Sequence, residues 1–208
     1  MTASTLREAT PQDVDALSEL LVELYAHELP DMLHGPHRAR AALTRRLLVA
    51  APLGRRYVFE DGGGVVATGA IATAEEPRPR TPASAILTAP LHMDPVRAAR
   101  TIAGAVRGVL TIAGPPAGDE VLLHSVVVAT THRGGGLGRL LMDHLEEEGR
   151  RRGKTRGILQ VISANSTART FYRSLGYTEH EHRVGAVARR FGYPSVLMSK
   201  PLGRMAEP

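Results

Sequence analysis

Four glycines within five positions, Gly134, Gly135, Gly136 and Gly138, give this 208-residue chain its clearest chemical signal. They follow an apolar, largely β-branched run, Val121 to Leu123 and Val126 to Val128, that reads as a buried strand. They precede Leu137, Leu140, Leu141 and Leu145, which fall on one face of a helix. A strand passing through such a turn into a helix aims free backbone N–H groups and the positive end of a helix dipole at one spot. That spot suits an anion, above all a phosphate, and glycine leaves no Cβ between backbone and ligand. Two phosphate-binding patterns fail on detail. A Walker loop needs Lys-Ser/Thr where Arg139-Leu140 stands, and a Gly-x-Gly-x-x-Gly fingerprint would need its third glycine at Arg139 or Leu141.

The pattern that fits is Arg133-x-x-Gly136-x-Gly138, preceded by Val126-x-Val128. It resembles the acetyl-CoA-binding segment of the GNAT family of N-acetyltransferases. About 30 residues on, Asn165-x-x-Ala168-x-x-Phe171-Tyr172-x-x-Leu175-Gly176-Tyr177 resembles the second signature of that family, which usually ends in Gly-Phe. The resemblance covers about residues 4–74 and 119–202. It implies direct transfer of an acetyl group from acetyl-CoA, as acyl-donor co-substrate, to an amine of a small molecule or peptide. The pyrophosphate would rest on the backbone of Arg133, Gly134, Gly135, Gly136, Leu137 and Gly138, with Arg139 completing the segment. Arg133 could equally position the loop. The pantetheine arm would pair with the backbone of Val126, Val127 and Val128 like an added strand, and the Val128 N–H would meet the thioester oxygen as it gains charge. Asn165 would contact the arm from the other side or simply cap a helix.

Tyr172 occupies the family position for the acid that protonates the leaving thiolate; packing in the core is the plainer reading of a Phe-Tyr pair. The attacking amine must lose a proton, and a base with a pKa near 7 suits that step. His124 lies four residues before Val128, and strict alternation puts it on the face of Val126 and Val128. It could be that base, a hydrogen-bonded core residue, or be replaced in the role by a water chain.

The elements that must hold these residues follow from pattern. Thr5 to Ala9 reads as a strand, and Thr10-Pro11-Gln12-Asp13 caps a helix reaching about His27. A loop from His27 to His37 leads to a helix over Arg38 to Val49. Strands at Arg56 to Glu60 and Val65 to Ala74 flank the turn Asp61 to Gly64. After the central strand and helix come a strand at Gly157 to Ile162, a short helix from Asn165 to Gly176, and strands at Tyr177 to Val184 and Ser195 to Lys200. Arg189 and Arg190 lie in the closing loop, and Arg150 to Arg156 reads as a solvated basic face at a helix C-terminus. The expected fold class is α/β (α+β): a GNAT-like central mixed, mostly antiparallel sheet flanked by helices.

One domain over residues 1–208 is expected, with an insertion at about 75–118 between the third and fourth strands. The insertion begins with an extended, exposed stretch, Glu75 to Pro82, and continues in a helix capped by Asp94-Pro95. It could be a lid, a substrate wall, a homodimer contact or a helix packed on the sheet edge. The chain has no cysteine, so disulfides and thiol catalysis are excluded, and no metal site is expected. No apolar run is long enough for a membrane span, and the first residues do not read as a signal peptide, so a cytoplasmic location is expected. The net charge of +5 comes from scattered basic residues with few aromatics, which argues against nucleic acid as a partner. The alternative to an enzyme is a non-catalytic acyl-CoA-binding sensor or interaction module.

Overall fold

A computed structural model describes residues 5–29, 33–79, 82, 84, 94–111, 114–180 and 190–203. Seven strands form one sheet in the order β1-β2-β3-β4-β5-β7-β6. They are β1 (Thr5–Glu8), β2 (Arg55–Asp61), β3 (Gly64–Ala72), β4 (Glu120–Val128), β5 (Arg156–Ile162), β6 (Thr178–His180) and β7 (Ser195–Pro201). Every neighbouring pair is antiparallel except β4 and β5. Among the described residues the sheet is flanked by the helices α1 (Val14–Glu28), α2 (His37–Val49), α3 (Pro95–Thr111), α4 (Leu137–Arg151) and α5 (Ser166–Ser174). In chain order α3 follows β3 and precedes β4. The expected strand beyond His180 falls at 181–184, outside the described residues, as does Arg189. None of the described helices is long and apolar enough to cross a membrane.

The first helix begins as the capping pattern requires: the Thr10 N–H donates to Asp13 Oδ2 at 2.7 Å. Arg7 of β1 grips the same carboxylate through Nη1 and Nη2, both at 2.8 Å, which holds Asp13 down to about pKa 2. The insertion helix starts where Asp94 Oδ1 accepts from the Arg97 N–H at 3.0 Å.

One face of the sheet carries the main core. Tyr57, Phe59, Ile71, Leu123, Leu159 and Val161 meet Leu141, Met142 and Leu145 of α4 there. The approach is close because β3 has Gly69 beneath the helix: a Cβ at that position would lie 2.7 Å from Leu145 Cδ1. Helix α1 packs against β3 and β4 on the opposite face.

The basic run at the end of α4 is only in part the solvated face expected of it: Arg151 and Arg156 are exposed, while the others are half-buried or buried. Arg150, Arg151 and Arg152 pair back onto Glu146, Glu147 and Glu148, and Arg152 also reaches Glu76. Lys154 is buried, with Nζ donating to Glu75 Oε2 and Gly118 O, both at 2.7 Å. The three consecutive glutamates before the arginines supply i, i+3 and i, i+4 partners, and the insertion supplies the rest.

Candidate active site

The strand β4 changes character halfway along. Its parallel pairing with β5 covers only Glu120 to Leu122, opposite Arg156 to Ile158. Beyond that the two strands separate, and the β4 edge from His124 to Val128 faces the gap between them. Ser125 adopts φ +53°, the left-handed region, and is alone in that among the described residues other than glycine. The pairing with β3 slips there: Ala70 faces His124, and Thr68 faces Val127. The inserted residue reverses the alternation. His124 therefore shares a face with Val127, not with Val126 and Val128 as strict alternation required. Val126 and Val128 pack toward the α4 core.

The backbone of the second half of β4 is available to a ligand. The Ala129 N–H is spent on Val66 O at 2.8 Å. Successive strand N–H groups point to opposite edges, so the Val128 N–H points away from β3, into the gap. Arg133 Nε donates to Val128 O at 3.0 Å, and its Nη2 lies 3.7 Å from Glu23 Oε2 of α1. The Thr130 N–H and hydroxyl donate to the same Glu23 oxygen at 3.1 and 2.9 Å. Arg133 thus clamps the loop to β4, the positioning role that its sequence reading left open.

The loop has the geometry of an anion cradle. Gly134 and Gly136 have φ +85° and +82°, and a Cβ on either would meet nothing within 4 Å. Among the described residues the N–H groups of Gly134, Gly135, Gly136, Leu137 and Gly138 have no backbone acceptor. Arg139 stands exposed in the first turn of α4. Gly138 serves packing as well: a Cβ there would lie 3.2 Å from Phe171 Cζ. An open, N–H-lined turn at a helix N-terminus beside an unpaired strand edge fits a pyrophosphate continued by an amide-bearing arm.

Across the gap stands α5. Asn165 Oδ1 accepts from the Ala168 N–H at 3.0 Å, so the structure uses the residue as the helix cap. Its Nδ2 donates to Glu28 Oε1 at 3.4 Å. Tyr172 is half-buried, its ring 5.3 Å from Phe171 and 6.0 Å from Tyr177. Burial, and then the Glu28 charge, push its phenol far above the ordinary range and keep it protonated.

Sequence reasoning missed three residues of this site. Glu28 is one: α1 runs to it, one residue beyond the expected end. Burial, tempered by Asn165 and Arg78, raises its carboxyl to about 7. Arg56 and Arg78 are the others. Arg56 of β2 faces Ala70, which faces His124, so the two side chains lie on one face of adjacent rows. Arg56 is 6% exposed, and burial brings its guanidinium down to about 10. Arg78, from the stretch expected to be exposed, is half-buried and also lowered by burial. Burial and the charges of Arg78 and Arg56 hold His124 well below its usual pKa and therefore neutral. Its Nδ1 is 3.1 Å from Ser125 Oγ, while its buried Nε2 has no partner among the described residues. An arginine inside an alternating strand pattern was the one available signal for Arg56; Arg78 and Glu28 gave none.

Two cavities border the fold. One of about 390 Å³ is lined by Glu8, Gly54, Arg55, Ile71, Glu76 and Pro77 and shares no residue with the loop or Tyr172. Its charges pair with each other, Arg55 with Glu76 and Glu8. The other, of about 260 Å³, lies between His34 after α1 and Arg100, Ala103, Gly104 and Arg107 of α3. No group of acidic or histidine side chains among the described residues could hold a metal.

A separated β4–β5 pair, an N–H-lined loop before α4 and a tyrosine on α5 define an acyl-CoA N-acyltransferase architecture. Residues 19–177 match the acetyltransferase (GNAT) family, and the chain belongs to that family. It is 36% identical over 77 residues to the ribosomal protein bS18-alanine N-acetyltransferase of Escherichia coli strain K12, a segment covering 37% of this chain. That match spans about half, 48%, of the relative's own length. Among solved structures, yncA of Salmonella typhimurium, determined with its cofactor acetyl-CoA, superposes with a TM-score of 0.55 at 21% identity. The superposition covers 100% of this chain and 98% of that one. The E. coli ribosomal-protein-S18-alanine N-acetyltransferase gives 0.52 at 17%, covering 99% and 97%. At these identities the structural likeness shows the fold.

Proposed function

We propose that this chain is an N-acetyltransferase that moves the acetyl group of acetyl-CoA directly to the amine of a small molecule or peptide. The observation that carries this reading is the gap between β4 and β5. It has the free Val128 N–H on one wall, Tyr172 on the other, and the anion cradle at its mouth. Acetyl-CoA supplies an activated thioester. The chain supplies a place for it: the N–H groups from Gly134 to Gly138 hold the pyrophosphate under the α4 dipole, and the β4 edge pairs with the amide-bearing arm.

The amine nitrogen attacks the thioester carbon, the carbon–nitrogen bond forms, and the carbon–sulfur bond breaks. The Val128 N–H faces the oxygen on which charge develops. Tyr172 gives its phenolic proton to the departing sulfur. For the proton leaving the amine, the surroundings separate two groups. His124 is neutral but made a weak base by burial and by the guanidinium charges of Arg78 and Arg56. Glu28, at about 7, is matched to the work. The two proton transfers are coupled by charge. Once Glu28 takes a proton it no longer raises the Tyr172 phenol, so the acid strengthens as the thiolate departs.

Calorimetric titration with acetyl-CoA and with CoA tests the reading. Saturable binding by the native chain is expected, with at least a hundredfold loss in Gly136→Glu, which puts bulk and negative charge in the cradle at a left-handed backbone position. Unchanged affinity in that variant would remove the loop assignment.

A further inference from the structure

We infer that the acceptor carries a carboxylate beside its amine, and that Arg56 and Arg78 hold this carboxylate next to His124. The inference rests on the acetyltransferase reading and specifies its second substrate as an amino-acid-like zwitterion.

Four observations converge. First, the sheet register sets Arg56 and His124 on one face, flanking Ala70, and the chain after β3 folds back onto Gly54, where a Cβ would lie 2.8 Å from Pro79 Cγ, so Arg78 returns to the end of β2 that holds Arg56. Second, the cluster is short of partners. Arg56 Nη1 reaches Thr68 Oγ1 at 3.5 Å, but its buried Nε and the buried His124 Nε2 have none among the described residues. No ion pair to Arg56 or Arg78 is found there either, whereas Arg7 and Arg55 of the sheet and Arg150 and Arg151 of α4 each have one. Burying a guanidinium without its counter-ion is costly; an anion arriving with the substrate relieves that cost, and two guanidiniums match the two oxygens of a carboxylate. Third, Glu28 meets Asn165 Nδ2 at 3.4 Å and has no ion pair with Arg78 among the described residues, so an amine at Glu28 and a carboxylate at Arg78 can be held together. The amine then lies beside Tyr172, where the chemistry takes place. Fourth, the 260 Å³ cavity between His34 and α3 has Arg100 on its wall and, among the described residues, no acid. The sign of the surroundings is the same.

The test compares a panel of α-amino acids with their carboxamides as acceptors, scored by CoA thiol release. Calorimetry with acetyl-CoA runs in parallel. A carboxamide has the less basic amine and more of it free, so intrinsic reactivity favours the amide. The native enzyme is expected to reverse this, with kcat/KM about tenfold or more higher for the best acids than for their amides. In Arg78→Gln that ratio falls to about one through a rise in the KM of the acid, and Arg78→Lys recovers part of it. Acetyl-CoA affinity is the same in all three proteins. Amides used as well as acids, or a ratio unchanged in Arg78→Gln, would overturn the inference. So would acetyl-CoA binding with no acid acetylated, which leaves the cofactor reading intact. Failure of the folded protein to bind acetyl-CoA would instead remove the proposed function, and the inference with it.

Discussion

Glu146 and Arg56 are both charged and both buried, on opposite faces of the same sheet, and the fold treats them in opposite ways. Glu146 of α4 is 2% exposed and accepts from Lys200 Nζ at 2.9 and 2.8 Å, from the Tyr177 hydroxyl at 3.1 Å and from Arg150 at 3.4 Å. Each lone pair that lost water found a donor. Arg56 keeps one long contact and an unpartnered Nε. The difference marks a division of labour. On the α4 face the charge ties the last strand to the helix that carries the cradle, and the network is complete without a ligand. On the other face the charge is left short, which is where we place the acceptor's carboxylate.

The comparison can be broken from either side. The largest effect is expected in Lys200→Met, which leaves Glu146 buried with its main counter-ion gone. Loss of about 3 kcal/mol in a denaturant titration is expected, and a change below about 1 kcal/mol would mean that Arg150 and Tyr177 suffice. Next comes Glu28→Gln. A proton acceptor at about 7 must be ionised to work, so the native kcat/KM should fall about tenfold per pH unit below pH 7. The variant should lose this limb and about a hundredfold in turnover; a limb that survives would assign it to another group. The smallest effect is also the sharpest contrast. Arg56→Met removes a buried charge that has no close counter-ion, so stability should hold or rise by about 1 kcal/mol while preference for a carboxylate acceptor is lost. A destabilisation as large as that of Lys200→Met would show that Arg56 is structural.

Much of the fold was legible because local rules govern it. The β4–turn–α4 unit, the Asp13 and Asp94 caps and the Asn165 cap each depend on residues within a few positions of one another. So does the left-handed backbone at Gly134 and Gly136. Elsewhere local rules misled. A helix C-terminus predicted a solvated Lys154, but the insertion brought Glu75 to it. Alternation predicted the wrong face for His124, because Ser125 takes a conformation that its residue type does not announce.

The sequence by itself determined the order of strands and helices, the glycine turn before α4 and the place of Tyr172 on α5, since periodicity and glycine spacing act over short range. Tertiary structure alone decided which charges would meet. Glu28, Arg56, Arg78 and His124 come from a helix end, two different strands and an inserted stretch, separated by as much as 96 positions in the chain. Only the sheet register, the packing of α1 over the sheet and the return of the inserted stretch bring them together. The properties that matter there, a carboxylate at about 7 and two arginines lowered by burial, belong to the low-dielectric space between them and not to any one residue.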